Sequence, residues 1–296
     1  LTFNYCREDL SEEIIGMWVC DQGDNNIAIT TYSEDGKMTM TREAYEHSST
    51  SLVNAVSDYR VIGDLRFHII PEGDAIDGKK PCLVARMVYT LNGTDLGDIL
   101  TQTLYTPTEN GVVEATTSWL RIKQYLELPG MKYDYIKTFV TNVKGLDKDI
   151  EFMGTTFNFA EMDGVKLDKA LKAILFNVEF PDANTIKYSC YYKGQNMSME
   201  APIVVDGNKM TVKMSEKNAA YKDVDLYAFQ DQDNTQFHIY MSTTAFVNFF
   251  GNMQVTIMEQ LGKLDTTDAA AVKAVFDSID EAVETINLSL VMTKAK

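Results

Sequence analysis

Glu12-Glu13-Ile14-Ile15-Gly16-Met17-Trp18-Val19-Cys20 decides how the chain is read. A glycine two residues before a tryptophan, at the mouth of a first strand, suits a place where backbone packs closely under a large ring. A ring so placed plugs the base of a β-barrel. Outward from it, short strand signals recur between Asp, Asn and Gly turns, as in antiparallel β-structure. Ile27–Tyr32 and Lys37–Thr41 flank Ser33-Glu34-Asp35-Gly36, whose Asp-Gly fits a tight hairpin turn. Met38 and Met40 point to one face; Lys37, Thr39 and Thr41 point to the other. Tyr59–Val61 and Leu65–Ile69 are joined by Ile62-Gly63-Asp64, and Cys82–Leu91, Asp98–Tyr105 and Val112–Arg121 follow. Eight antiparallel strands close on themselves and still leave room for a small ligand. Glu43–Val53 and Pro71–Pro81 read as exposed loops at a barrel mouth, and 119–126 fits strand or helix spacing equally.

Leu128-Pro129-Gly130 breaks the pattern, and polar, lysine-bearing Met131–Asp149 reads as the boundary between two domains, 1–128 and 129–296. A second antiparallel series is expected to start at Ile150-Glu151-Phe152 and Phe157-Asn158-Phe159. Leu167–Ile174 has room for a helical turn. Leu175–Phe180, Thr185–Tyr192, Ile203–Val205, Lys209–Met214, Val224–Phe229 and Thr235–Met241 read as strands. Then the period changes. Phe246, Phe249, Phe250, Met253, Ile257 and Leu261 recur at helical spacing, as a lid or a plug. A second helix, capped by Thr266 or Thr267, carries Val272, Val275, Phe276, Ile279, Val283 and Ile286 on one stripe. Alternation of Ile286, Leu288, Leu290 and Met292 marks a last strand, so the helices are an insertion before it. The expected fold is mostly β: two antiparallel barrels, the second with a two-helix insertion.

The chain has 296 residues, 45% hydrophobic and 24% charged, which fits globular domains with their own cores. Lys plus Arg number 27 against 43 Asp plus Glu, a net charge of -16 that repels nucleic-acid backbones. No arginine follows Arg121. No apolar run is long enough to span a bilayer. Cys6, Cys20, Cys82 and Cys190 contain no C-x-x-C pair and make no zinc site; one bridge in the first half or free buried thiols both fit. Cys6, just before an acidic leader, stands where a lipid anchor would be attached.

With Gly16-Met17-Trp18 on the first strand, the leader Asp9-Leu10-Ser11-Glu12-Glu13 before it and eight strands, the first half resembles the lipocalin-like members of the calycin superfamily. It looks like the secreted or surface-anchored lipocalin-like lipoproteins of gut Bacteroidetes. The resemblance implies that Gly16 and Trp18 close the barrel, with Arg121 packed over the ring. It implies a cell-envelope or secreted location, binding of unknown ligands and no enzymatic step. Two readings fit: a barrel that holds a small apolar or sugar ligand, or filled barrels that present the loops Glu43–Val53 and Pro71–Pro81 to an envelope protein or glycan. The second half lacks G-x-W and is similar to such barrels only in strand order.

His47, His68 and His238 are far apart, and each of the last two reads as solvated on the polar face of a strand. No histidine accompanies a serine or cysteine in a nucleophile context, so hydrolase chemistry has no support. Asp231-Gln232-Asp233-Asn234 starts like a calcium loop but lacks its glycine and glutamate, and reads as a turn. Phosphate-cradling glycine motifs are absent, and no cofactor is expected. Strand aromatics of the second half, Tyr188, Tyr192, Tyr227, Phe229 and Tyr240, are the candidates for lining a cavity that holds an apolar or sugar ligand. Filling the core is the competing role for the same rings.

Overall fold

The computed structural model describes residues 9–23, 26–44, 51–69, 81–90, 97–152, 155–161 and 164–296. The chain divides into two compact units, the first ending at Lys123 and the second running from Gln124 to Lys296. The first is an up-and-down barrel of β1 Gly16–Gly23, β2 Asn26–Tyr32, β3 Lys37–Ala44, β4 Val53–Ile62, β5 Leu65–Ile69, β6 Pro81–Thr90, β7 Ile99–Thr108 and β8 Gly111–Ile122. β1 closes it by pairing antiparallel with β8, Trp18 opposite Arg121. Residues 119–122 are therefore strand. The loops expected over 43–53 and 71–81 fall largely outside the described residues, as do Cys6 and His47.

The second unit also closes on itself, through β9 Met131–Gly145, β12 Asn177–Asp182, β13 Thr185–Tyr192, β14 Gln195–Asp206, β15 Lys209–Val212, β16 Val224–Gln230, β17 Gln236–Met241 and β18 Val283–Lys294. The stretch read as a boundary is thus its longest strand. β9 pairs with β12 on one side and β18 on the other. Its period is hidden by a bulge: Lys137 faces Val291 and Tyr135 faces Met292, leaving Ile136 over. Met131, Tyr133 and Tyr135 pack on the core before the bulge, whereas Thr138 is the buried residue after it. Asp168 satisfies the interrupted ladder, accepting from the Thr138 amide at 2.6 Å and from the Tyr135 hydroxyl. It comes from α1 Gly164–Ala173, a full helix where one turn was expected. β10 Asp149–Phe152 and β11 Thr155–Asn158 pair only with each other, so they are a separate hairpin and not the start of the barrel.

Between β17 and β18 lie α2 Thr243–Gln260 and α3 Ala269–Asp280. Ser242 caps α2 by accepting from the Ala245 amide at 3.1 Å. Asp268, not a threonine, caps α3 by accepting from Ala270 and Ala271 amides. Asp265 engages Thr267 instead, which removes that threonine as a cap. α2 is a plug. It buries residues on nearly every side, and Phe249 meets Phe176 and Tyr188 edge-on with centroids at 5.8 and 5.3 Å. Tyr133, Phe180 and Phe237 stack beside this cluster. What remains near Tyr188, Met197 and Met253 is a cavity of about 20 Å³, room for about one water.

Gly251 lets α3 approach α2: a Cβ there would sit 2.3 Å from the ring of Phe276. Alanine normally gains about 1 kcal/mol over glycine inside a helix. Gly251→Ala is expected to reverse that sign and lower the stability of the second unit by about 1–3 kcal/mol, as overpacking does. Phe276→Leu in the same chain should recover most of the loss. Chemical denaturation of the four proteins of this cycle checks it, and an unchanged or raised midpoint for Gly251→Ala would refute it.

Candidate functional site

In the first barrel the register sends every second side chain inward, and the interior can be followed upward from Trp18. Trp18 is fully buried, and its Nε1 donates to the Ile14 carbonyl at 2.8 Å. Its cross-strand neighbour Arg121 holds its guanidinium carbon 4.8 Å from the Trp18 ring centroid and 5.5 Å from that of Tyr89. Arg121 Nη2 also donates to the carbonyls of Ile15, at 3.3 Å, and Glu13. The Tyr89 hydroxyl donates to Asp98 at 2.8 Å; burial, helped by that bond, pushes its pKa up to about 12. Gly16 serves here for a different reason than crowding. Its φ is +130°, which side chains rarely adopt, while a Cβ would meet nothing within 4 Å.

Above this floor come Tyr32, Tyr59, Arg66, Gln102 and Trp119. The Tyr32 and Tyr59 rings meet edge-on at 5.0 Å. Arg66 is only 4% exposed, and its guanidinium lies 5.7 Å from the Tyr32 centroid. Its Nη1 donates to His68 Nε2 at 2.9 Å and to Met38 Sδ at 3.2 Å. Since arginine can only donate, His68 accepts at Nε2. Burial first, and the Arg66 charge second, lower the His68 pKa to about 4. Gln102 reaches the Tyr32 hydroxyl at 3.4 Å. Higher still, Arg42 reaches Gln22 at 3.4 Å. Six inward-facing atoms are buried without a hydrogen-bond partner: Arg121 Nε in the floor and, above it, Arg66 Nε, Arg42 Nε, Gln22 Nε2, Ser57 Oγ and Gln102 Oε1. Along β8, Trp119 is buried and Thr117 half-buried, while residues 111–116 are exposed on both faces, where the β7–β8 hairpin runs past its pairing with β6.

The five aromatics singled out in the second half do not form one site. Tyr188 points into the filled core, where burial raises its pKa. Tyr192 is half-buried at the edge of that core, with Lys193 Nζ 5.2 Å from its ring centroid. Tyr227, Phe229 and Tyr240 touch one another but lie on the opposite face, because Leu226, Ala228, Phe237 and Ile239 take the inward positions of β16 and β17. His238 is buried beside Gln236, at 3.1 Å, and not solvated, since β17 is buried along its whole length; His68 is only partly exposed. Asp231 is a turn former, accepting from the Thr235 and Gln236 amides. Cys20 and Cys190 are free, buried thiols, each pushed up to about 11 by burial. Among the described residues no cluster of metal-ligating side chains occurs and no helix is long and apolar enough to cross a membrane. The polar interior of the first barrel was not anticipated from the sequence. Its signal was there: Arg42 follows Met38 and Met40 on the inward face of β3, and Arg66 shares the inward face of β5 with His68.

No protein-family model matches the sequence, and no curated protein does. Among solved structures, a double mutant of the vaccine antigen Transferrin Binding Protein B from Haemophilus parasuis aligns with 95% of this chain at 11% identity and a TM-score of 0.27. The chain spans 61% of that protein. A correspondence at this TM-score transfers neither fold detail nor ligand.

Trp18→Ala is expected to destabilise the first unit by about 3–5 kcal/mol, the cost of truncating a buried tryptophan, with the second unit's transition left in place. Loss of both transitions together in calorimetry would contradict this. His68 supplies a pH test. Its folded pKa is depressed below the unfolded 6.5, so the unfolded chain binds more protons between pH 6.5 and 4. The stability from its neutral form is present above 6.5 and lost as pH falls to about 4. NMR titration of the imidazole should show the low value, and Arg66→Met should raise it part-way; a normal titration near 6.5 would exclude this environment.

Proposed function

We propose that the chain is a non-enzymatic binding protein of the cell envelope, whose first half is a lipocalin-like barrel that takes up a small ligand. One observation carries the reading: above the Trp18 floor, five polar atoms on inward positions of the first barrel stand buried and unpartnered. Buried polar groups are rarely left so, and a ligand or water must satisfy them. Gly16, Trp18 and Arg121 act as the structural closure beneath the site. The envelope location follows from the lipocalin-like lipoprotein resemblance and from Cys6 as an anchor point. The second barrel, filled by its own aromatics and by α2, fits a scaffold or interaction module and not a second cavity.

Both tryptophans, Trp18 and Trp119, belong to the first barrel, so tryptophan emission reports on it alone. The neutral dye N-phenyl-1-naphthylamine is expected to bind saturably, with energy transfer from these rings. Ala115→Trp, which places a large ring on the Trp119 side of β8, should reduce uptake. Absence of saturable transfer, or transfer indifferent to Ala115→Trp, would refute a ligand-holding first barrel.

A further inference from the structure

We infer that the first barrel selects its ligand by an oxyanion, with Arg66 as the residue that receives it; this rests on the ligand-binding reading above. The argument begins with charge. Arginine stays protonated in proteins, so Arg66 carries its charge into a site where it is only 4% exposed. A buried charge without a counter-charge is strongly unfavourable. Yet among the described residues no carboxylate pairs with Arg66; its partners are a thioether and a histidine nitrogen. Arg86 on the outer face behaves differently, meeting Asp64 at 3.3 Å.

The interior as a whole repeats this. The described inward positions of β1–β8 include Arg42, Arg66 and Arg121 but no Asp or Glu, in a chain where 43 acidic residues outnumber 27 basic ones. Among the described residues the acid that reaches this interior is Asp98, just before β7, and it is engaged at the floor by the Tyr89 hydroxyl. Arg121 is engaged with ring faces and carbonyls of that floor. Arg66 and Arg42, like Arg121, have an Nε without a partner, but among the described residues neither has a backbone carbonyl on its guanidinium as Arg121 has, and Gln22 Nε2 and Ser57 Oγ add further donors on the same face. Gln102 Oε1 is the one pure acceptor of the set. Donors in excess, at least two of them on fixed cations, match an acceptor-only group such as a carboxylate. Water would satisfy the donors but would leave the charge uncompensated. Met38, Met40, Tyr32 and Tyr59 on the inward face provide apolar wall for the body of an organic anion.

The test uses the whole chain, with displacement of N-phenyl-1-naphthylamine as readout and octanoate, 1-octanol, octylamine and inorganic phosphate as competitors. Octanoate is expected to displace the dye at about tenfold or lower concentration than 1-octanol or octylamine, the size of one charge-assisted hydrogen bond to a buried group. Displacement by phosphate alone at similar concentration would support a free inorganic oxyanion as occupant; octanoate without phosphate would support an organic carboxylate. Arg66→Met, similar in length and uncharged, should erase the preference while dye uptake and thermal unfolding persist. Arg66→Lys should retain part of it. Arg86→Met, which removes an outer-face cation paired with Asp64, should keep the preference, and Arg66→Lys is the comparison should Arg66→Met fail to fold. Equal displacement by octanoate and 1-octanol, or a preference surviving Arg66→Met, would overturn the oxyanion assignment and leave the ligand-holding barrel standing. Failure of the dye and of every competitor to bind would overturn both.

Discussion

The guanidinium of Arg121 over the ring of Trp18 is the contact on which the first barrel depends. It joins the first strand to the last at the point where the sheet must close, Trp18 opposite Arg121. Closure leaves no strand edge for another chain to extend. The same guanidinium draws in the carbonyls of Glu13 and Ile15, folding the segment before β1 beneath the sheet. Leu10 and Ile14 are thereby buried under the ring, and Leu10 hydrogen-bonds to Gly63 in the turn between β4 and β5. A cation–π contact contributes about 0.5–2 kcal/mol according to its desolvation. Its larger effect is to keep water from entering at the base.

Two barrels with eight strands each reach opposite interiors, so strand number alone does not decide whether an interior is apolar or polar. In the second, inward positions are Val178, Phe180, Tyr188, Phe237 and Ile239, and an 18-residue helix adds Phe246, Phe249 and Phe250. Such a core gains from burying apolar area and excludes solvent. In the first, Arg66, Gln102, Gln22 and Arg42 occupy equivalent inward places, where polar burial is unfavourable unless partners are supplied. That contrast separates an interior that gains stability from every residue it buries from one that gives up stability at its unpartnered polar atoms.

What the sequence disclosed follows from how far each signal is local. Hairpins such as Ser33–Gly36, the alternation of Met38 and Met40, and the helical repeats of Phe246–Ile257 are short-range patterns and match the elements formed. β9 was missed because Ile136 shifts its phase midway, and an averaged period then cancels. The α3 cap was misplaced because Asp265, Thr266, Thr267 and Asp268 are all capable residues, and only their hydrogen bonds choose among them. Gly16 was read as a packing residue when its backbone dihedral is the constraint. The interior of the first barrel was hardest to read. An arginine on a strand is ordinary until the register shows that Arg66 faces Ala85 on one side and Val61 on the other, both turned inward.

The pairing of β9 with β18 has a consequence for how the chain matures on the ribosome. The first barrel joins neighbours in sequence and is complete once Ile122 has emerged. The second must bring Met131–Gly145 against Val283–Lys294, its first strand against its last. Until Val283–Lys294 has left the exit tunnel, β9 has one open edge, and the cavity that α2 fills has an unfinished wall. Such long-range closure is slow and exposes aggregation-prone surface. The two units thus mature under different kinetic regimes, one closing through neighbours in sequence and the other only once Val283–Lys294 is free to pair.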